Sequence, residues 1–306
     1  MNTALVGYTG FVGGNLAAAH PFDAVYNSKN IEEGFGRQHD LLVYAGLRAE
    51  KYLANTDPEA DMALVRQAME NIRRLAPKSL VLISTVDVYR DPAGKDESSP
   101  IETQGLHPYG LNRYRLEEWV QEHVEDHLIL RLPGLFGKGL KKNFLFDMKT
   151  LIPTMLTQER YQETQARSAF AAGCYQPGQN GFYKLRPLSE EEHDRLRAFF
   201  EGNDFNALAF TDSRSVYQFY GLSRLWQDIL AARRAGIRLL NMATEPVSAA
   251  EVYQAVTGQP FCNQLDRPPV FYDFRTLHAQ ELGGKGGYLA DKQAVLEQIK
   301  EFMRHG

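Results

Sequence analysis

Length, composition and charge place this chain among globular proteins and exclude two classes of partner. It has 306 residues, of which 43% are hydrophobic and 24% charged, and its formal net charge is −4. An acidic balance argues against binding to the phosphate backbone of nucleic acids. No apolar run is long enough to cross a bilayer, so we expect no membrane partner. The length suits one large domain or one domain with a smaller lobe.

The cysteines and the N-terminus indicate a cytoplasmic protein without a metal site. Cys174 and Cys262 lie far apart and form no Cys-x-x-Cys pair, so neither a disulfide framework nor a zinc site is indicated. Gly7 interrupts the first apolar run too early for a signal peptide. His123 and His127 lie one helical turn apart, but their spacing differs from that of a zinc-protease motif, and we expect no metal.

The first apolar run and the loop after it predict a strand, a tight turn and a helix. Gly7 ends the run, and Gly10 and Gly13 follow at intervals of three residues. Gly7 would allow a sharp turn, Gly10 the approach of a pyrophosphate, and Gly13 close packing of helix on strand. The N–H groups and dipole at the helix start favour a bound anion, so the loop predicts a dinucleotide site.

The residues after the second predicted strand bear on the choice of cofactor. The strand covers residues 24–26 and is followed by Asn27, Ser28 and Lys29. An acidic residue here would bind both ribose hydroxyls of NAD and repel the extra phosphate of NADP. None is present, and Ser28 and Lys29 could receive a 2′-phosphate. The cofactor is therefore NAD or NADP with a slight preference for NADP, although a plain polar turn would look the same.

The pattern as far as residue 133 predicts a Rossmann-type, doubly wound parallel α/β sheet. Buried strands are expected at 40–46, 80–85 and 128–133, with amphipathic helices between them. After residue 136 the pattern becomes irregular and more polar. We therefore predict a dinucleotide-binding domain over 1–136 with a returning segment near 210–248. A smaller mixed substrate-binding lobe would comprise 137–209 and 249–306.

The glycine loop resembles that of a known superfamily. Its sequence, Gly-x-x-Gly-Phe-Val-Gly, is similar to the nucleotide loop of the extended short-chain dehydrogenases/reductases, the epimerase/dehydratase branch. This resemblance covers most of the nucleotide domain and patches of the lobe, with a looser likeness to nucleotide-sugar reductases around residues 47–58. It implies cofactor contacts from the loop and the following strand ends, namely Gly7, Tyr8, Thr9, Gly10, Phe11, Val12, Gly13, Asn27, Ser28, Lys29, Ala45, Gly46, Leu47, Ser84, Leu132 and Pro133.

The same resemblance implies the residues that carry proton transfer. Ser84-Thr85-x-x-Val88-Tyr89 and Pro108-Tyr109-Gly110 match the family's motifs. Tyr109 would donate or remove a proton while hydride moves, and Thr85 would share its hydrogen bond. The family has lysine four residues after the tyrosine, whereas this chain has Arg113. Arginine supplies a permanent charge on a bulkier fork, so Arg113 is either a working replacement or a cause of slowed proton transfer.

Three residues are candidates for substrate binding by the same resemblance. Asn143 follows a strand whose end is similar to the family's Tyr-Gly strand, although Gly134 stands where the family has asparagine. Arg214 opens a segment similar to an element whose arginine pairs with a diphosphate. Asp87 lies just after Thr85. Each could equally be an ordinary surface residue.

The resemblance implies an NAD(P)-dependent epimerase, dehydratase or reductase of a nucleotide-linked sugar. Dimerisation through helices flanking the sheet is a family expectation, so a homodimer is also expected. Two alternatives remain. One is a regulator that senses a dinucleotide without catalysis, and the other is a reductase of a small ketone or aldehyde.

Overall fold

The computed structural model describes residues 1–178 and 181–305 as an α/β protein. The strands, in chain order, are β1 (Thr3–Val6), β2 (Ala24–Tyr26), β3 (Leu41–Tyr44), β4 (Leu80–Thr85), β5 (His127–Leu132), β6 (Gly134–Phe136), β7 (Met155–Leu156), β8 (Tyr175–Pro177), β9 (Tyr183–Leu185), β10 (Val216–Tyr217), β11 (Phe219–Gly221), β12 (Leu239–Asn241) and β13 (Val247–Ser248). The helices are α1 (Phe11–Ala19), α2 (Lys51–Thr56), α3 (Pro58–Leu75), α4 (Pro108–His123), α5 (Phe144–Thr150), α6 (Gln158–Arg167), α7 (Ala169–Gly173), α8 (Glu190–Glu201), α9 (Leu225–Arg234), α10 (Ala249–Thr257) and α11 (Lys292–His305).

A six-stranded sheet in the order β12-β5-β4-β3-β1-β2 forms the centre of the first unit, and every pairing in it is parallel. The chain passes from β1 to β2 on one side and returns to β3 on the other. The carboxyl ends of β1 and β3 are therefore the switch point at which such sheets bind ligands. The predicted Rossmann-type fold is confirmed.

Both faces of this sheet are covered, which explains why its strands read as continuous apolar runs. Alternate side chains of β1 point to opposite sides, so Leu5 packs with residues of α1 and α9. Val6 packs instead with residues of α3 and α4. The apolar stripe that predicts α3 lies on its buried side, where Val65 and Ile72 are almost fully buried.

The chain divides into two compact units whose boundaries differ from those expected. The first comprises residues 1–140, 216–248 and the chain from 270 onward, and the second comprises 141–215 and 249–269. Residues 270–305, which the sequence analysis assigned to the lobe, therefore group with the sheet. The reason is long-range bonding: Tyr272 N donates to Val216 O and Thr276 Oγ1 donates to Glu97 Oε1.

The second unit is a mixed α/β element built on a small antiparallel sheet, β7-β9-β8. Its core includes Ile152, Leu156, Leu196 and Phe200, all nearly inaccessible to solvent. Helix α8 begins with a capping box, in which Ser189 and Glu192 satisfy each other's backbone N–H groups. None of the helices in residues 1–178 and 181–305 combines the length and apolar character needed to span a bilayer.

Candidate active site

The glycine loop lies between β1 and α1 at the switch point. Gly7 has φ +91° and its N–H donates to Tyr26 O at 2.7 Å. A Cβ at Gly7 would lie 2.4 Å from Ala45 O. Both the backbone angle and the contact with the residue after β3 require glycine here, so the loop takes the sharp turn that the sequence predicts.

The start of α1 is shaped to receive an anion. A Cβ at Gly13 would lie 2.1 Å from Gly7 O, so the first helical turn rests directly on the loop. Within the described residues no side chain caps this helix, because Gly10 occupies the N-cap position. The first-turn N–H groups and the helix dipole therefore remain available for a phosphate. This arrangement fits the pyrophosphate of a dinucleotide.

Replacing Gly13 with alanine should weaken dinucleotide binding at least about tenfold and lower the free energy of unfolding by about 1–3 kcal/mol, because the new methyl overlaps Gly7 O. Fluorescence titration with NADPH and urea unfolding measure the two effects. Gly14→Ala is the matched control, since its Cβ would lie at an ordinary 3.4 Å from Tyr8 O. Equal behaviour of the two variants would contradict this account of the loop.

The segment after β2 is ordered by asparagine side chains. Asn27 Nδ2 donates to Tyr8 Oη at 3.2 Å, and Asn27 Oδ1 accepts from Lys29 N at 2.8 Å. Asn30 Oδ1 accepts from Asn27 N. Ser28 and Lys29 are exposed at the tip of this turn. The turn therefore presents a hydroxyl and an ammonium to solvent next to the glycine loop.

The remaining predicted cofactor residues lie at or near the same sheet edge. Ala45 N donates to Val6 O at 2.9 Å, and Gly46 packs so closely on Val6 that a Cβ would lie 2.8 Å from its Cγ1. Leu47 is half-buried after them. Leu132 pairs with Thr85 across β5 and β4, and Pro133 follows it. These strand ends form one continuous edge.

Ser84 belongs to a buried polar network. Its side chain is buried, and its hydroxyl donates to Glu117 Oε1. Glu117 also forms a fully buried ion pair with Arg131, and Arg131 Nη1 donates to Tyr89 Oη at 2.7 Å. The sequence analysis missed this network. The single arginine within the apolar run of β5 is the sequence feature that could have indicated this network.

Thr85 ends β4 and is held by the turn that follows. Its Oγ1 accepts from Asp87 N at 3.1 Å and donates to Asp87 Oδ2 at 3.1 Å. The turn over residues 86–88 is a short 3-10 helix with Thr85 at its N-cap. The hydroxyl is therefore fixed at the carboxyl edge of the sheet.

Tyr109 lies in the first turn of α4, and that turn packs on the turn after Thr85. A Cβ at Gly110 would lie 2.0 Å from Asp87 O, so the two turns approach as closely as glycine allows. His107 Nδ1 accepts from Gly110 N at 3.1 Å and caps the helix. Tyr109 N donates to Asn55 Oδ1 at 3.1 Å. Pro108-Tyr109-Gly110 is therefore a capped helix start that packs on the turn following Thr85.

Burial is the main influence on the pKa of the Tyr109 phenol. The side chain is 6% exposed, and this burial raises the pKa of Tyr109 to about 12, although the Arg113 guanidinium opposes the increase. Asp87 and Asp61 act in the same direction as burial. At neutral pH Tyr109 is protonated, so it is ready to act as an acid.

Arg113 lies one helical turn from Tyr109 and forms an ion pair with a buried carboxylate. Its guanidinium lies over the Tyr109 ring, 4.2 Å from the centroid, and forms an ion pair with Asp61 of α3. Asn112 Nδ2 donates to the same carboxylate at 2.9 Å. Arginine here is therefore packed and paired rather than mobile.

The sequence analysis also missed Lys51, the first residue of α2. Its Nζ lies 2.7 Å from Asp87 Oδ1 and 2.6 Å from Oδ2. The same nitrogen lies 5.8 Å from the Tyr109 ring centroid. No motif marks this position, because the contact depends on how the loop after β3 folds back.

Two predicted substrate residues belong to the second unit. Asn143 has φ +100°, and its Oδ1 accepts from Leu145 N and Phe146 N as the N-cap of α5. Arg214 forms a bidentate pair with Asp212, at 2.9 Å from Nε to Oδ1 and 2.7 Å from Nη2 to Oδ2. Both side chains therefore have structural partners within their own unit.

Solved structures with the same fold include several sugar-nucleotide enzymes. A dTDP-4-dehydrorhamnose reductase from Clostridium acetobutylicum superposes with a TM-score of 0.64 at 12% identity, covering 99% of each chain. The reductase from Bacillus anthracis in complex with NADP gives 0.62 at 13% identity, covering 99% of this chain and 98% of that one. RMD from Pseudomonas aeruginosa in complex with NADPH gives 0.60 at 15%, with both chains fully covered.

Sequence comparison identifies the family. No curated protein matches this chain significantly. The family model described as "RmlD substrate binding domain" matches residues 6–160, just over half of the chain. That span contains the glycine loop, Thr85, Tyr109 and Arg113, and the predicted resemblance to extended short-chain dehydrogenases/reductases is confirmed. This chain belongs to the RmlD substrate binding domain family.

Proposed function

We propose that this protein is an NADP(H)-dependent reductase of a nucleotide-linked keto sugar. The observation that carries the proposal is a buried, protonated Tyr109 whose helix start packs on the turn that fixes Thr85. Reduction of a carbonyl requires an acid at its oxygen, whereas oxidation of an alcohol requires a base. Tyr109 carries its proton at neutral pH, so its phenol can supply the first role directly.

The cofactor would be held by the loop and strand ends already described. The uncapped start of α1 and the glycines at 7 and 13 suit a pyrophosphate, and Ser28 with Lys29 suits a 2′-phosphate. When bound, a reduced nicotinamide supplies hydride to the carbonyl carbon. Structural neighbours are complexed with NADP or NADPH and, in other cases, with NAD, so the preference for NADP(H) is argued from Ser28 and Lys29.

Thr85 and Tyr109 would act together on the carbonyl oxygen. In the free protein the Thr85 hydroxyl donates a hydrogen bond to Asp87 Oδ2. With substrate bound, the hydroxyl would donate to the carbonyl oxygen instead, while its Oγ1 still accepts from Asp87 N. The Tyr109 O–H bond then breaks, and its proton passes to the carbonyl oxygen as the carbon is reduced. The products are an alcohol and a phenolate, and the guanidinium of Arg113 over the ring stabilises that phenolate.

The substrate class is supported by the relatives. The structural neighbours named as dTDP-4-dehydrorhamnose reductases act, by their names, on a keto sugar linked to a nucleoside diphosphate. Fluorescence titration with NADPH, repeated with nucleotide-linked sugars, tests the proposal. Tighter NADPH binding with one such sugar supports it, whereas cofactor binding that no sugar changes favours the dinucleotide sensor.

Lys29 should set the preference for NADPH. Replacing it with alanine removes an exposed ammonium suited to the 2′-phosphate, so NADPH should bind about tenfold more weakly. NADH binding, measured by the same titration, is the internal control and should be unchanged. Equal weakening of both cofactors, or of neither, would contradict this role.

A further inference from the structure

A second cation stands beside Tyr109. Lys51 begins α2, and its ammonium lies within 2.7 Å of both Asp87 carboxylate oxygens. Asp87 in turn accepts the hydroxyl proton of Thr85. Lys51, Asp87 and Thr85 therefore form a continuous chain of contacts, and the Lys51 ammonium lies 5.8 Å from the Tyr109 ring centroid.

The charge of Arg113 is already balanced within the protein. The side chains of Arg113 and Asp61 are 5% and 4% exposed, and the pair is tied further by bonds to the carbonyl of Arg48 and the amide of Asn112. A buried pair of this kind keeps its geometry, because separating the charges leaves one uncompensated. Arg113 stacks on Tyr109 and lowers the pKa of its phenol, and the Asp61 carboxylate opposes that effect.

The exposed Lys51 side chain can move, whereas that of Arg113 is held by its buried ion pair. The Lys51 side chain is 51% exposed, whereas that of Asp87 is 15% exposed. A lysine stem has four rotatable bonds, and its ammonium is a point charge that can follow a shifting partner. The charged and titratable groups that face Tyr109 are Arg113, Asp61, Asp87, Lys51 and His107.

We propose that Lys51 is the positioning residue that supplies the movable positive charge of this site, the role that a lysine at position 113 would otherwise fill. Its ammonium neutralises Asp87, holds that carboxylate against Thr85, and offsets the negative charge that develops on Tyr109 as its proton leaves. The inference rests on the proposed function. Lys51 itself exchanges no proton and forms no covalent bond.

Removing the positive charge of Lys51 should raise the pKa of Tyr109. Without Lys51, the full negative charge of Asp87 faces the phenol and a nearby cation is lost, so the pKa of Tyr109 rises. A weaker acid protonates the carbonyl more slowly, so kcat of Lys51→Met should fall about 10- to 100-fold. In the alcohol-oxidising direction, where Tyr109 acts as the base, the rising limb of the pH profile should move up by about one unit.

Lys78→Met is the matched control. Lys78 Nζ lies 2.7 Å from Asp40, and its side chain is 64% exposed, so the variant removes a similar surface ion pair remote from the candidate site. Its kcat and pH profile should match the parent, whereas Lys51→Arg should recover most of the activity because it keeps the charge. A Lys51→Met variant that behaves like Lys78→Met would overturn the proposal.

A titration without substrate separates this inference from the proposed function. The chain has 15 tyrosines, so a fluorinated tyrosine placed only at position 109 gives one ¹⁹F signal with a more acidic phenol. Lys51→Met should raise the midpoint of its titration, and an unchanged midpoint would overturn the inference. A raised midpoint in a protein that reduces no nucleotide-linked sugar would refute the proposed function while supporting the electrostatic role of Lys51.

Discussion

Replacing Tyr109 with phenylalanine should reduce turnover about 10²- to 10⁴-fold while leaving NADPH binding intact. Phenylalanine retains the buried ring and its stacking with Arg113, whose guanidinium carbon lies 4.2 Å from the ring centroid. It lacks only the hydroxyl that gives its proton to the carbonyl oxygen. Steady-state kinetics measures kcat, and fluorescence titration measures the cofactor affinity.

Tyr114→Phe provides the control for that result. Tyr114 lies on the same helix α4 and is only partly buried, so its variant tests whether loss of any helix hydroxyl harms the enzyme. Its turnover should equal that of the parent. Full activity of Tyr109→Phe would show that the proton comes from elsewhere and would remove the basis of the proposed mechanism.

Replacing Glu117 with alanine should lower the free energy of unfolding by about 3–5 kcal/mol. Glu117 is 0% exposed, and its carboxylate accepts three hydrogen bonds of 2.6–3.2 Å from the Arg131 guanidinium. Alanine leaves the Arg131 charge buried without its carboxylate and leaves the Ser84 hydroxyl without its acceptor. Urea unfolding followed by circular dichroism gives the change.

An exposed ion pair on the same unit provides the comparison. Glu70 pairs with Arg73 one turn along α3 at 2.7 Å, and both side chains face solvent. Glu70→Ala should change the free energy of unfolding by no more than about 0.5 kcal/mol. A double variant, Glu117→Leu with Arg131→Met, should recover much of the loss because it buries no charge. Similar small changes in Glu117→Ala and Glu70→Ala would contradict the assigned role of the buried pair.

The parts of the fold set by local chemistry were predictable from the sequence. The spacing of Gly7, Gly10 and Gly13 predicts the turn, and the structure gives a steric reason for the first and the last of them. The apolar runs that became β3, β4 and β5 needed only their own composition. The polar loop at Ser28 and Lys29 was equally visible, because it ends a strand.

The contacts that define the candidate site's electrostatics were not predictable, because they join distant residues. Arg113 meets Asp61 across 52 positions and Lys51 meets Asp87 across 36. No periodicity in a single sequence encodes such pairs. Arg214 shows the converse, since its partner Asp212 lies only two residues away and local inspection could have found it. The grouping of the segment after residue 270 with the sheet also depends on long-range contacts.

Oxidation of NADPH with a nucleotide-linked keto sugar tests the central claim most directly. The purified protein is mixed with NADPH and a dTDP-linked 4-keto sugar, and the loss of NADPH absorbance is followed together with the sugar product. We expect one NADPH to be consumed for each sugar alcohol formed, because reduction does not regenerate the cofactor as epimerisation does. Conversion of the sugar without net loss of NADPH, or reduction of small ketones only, would contradict the claim.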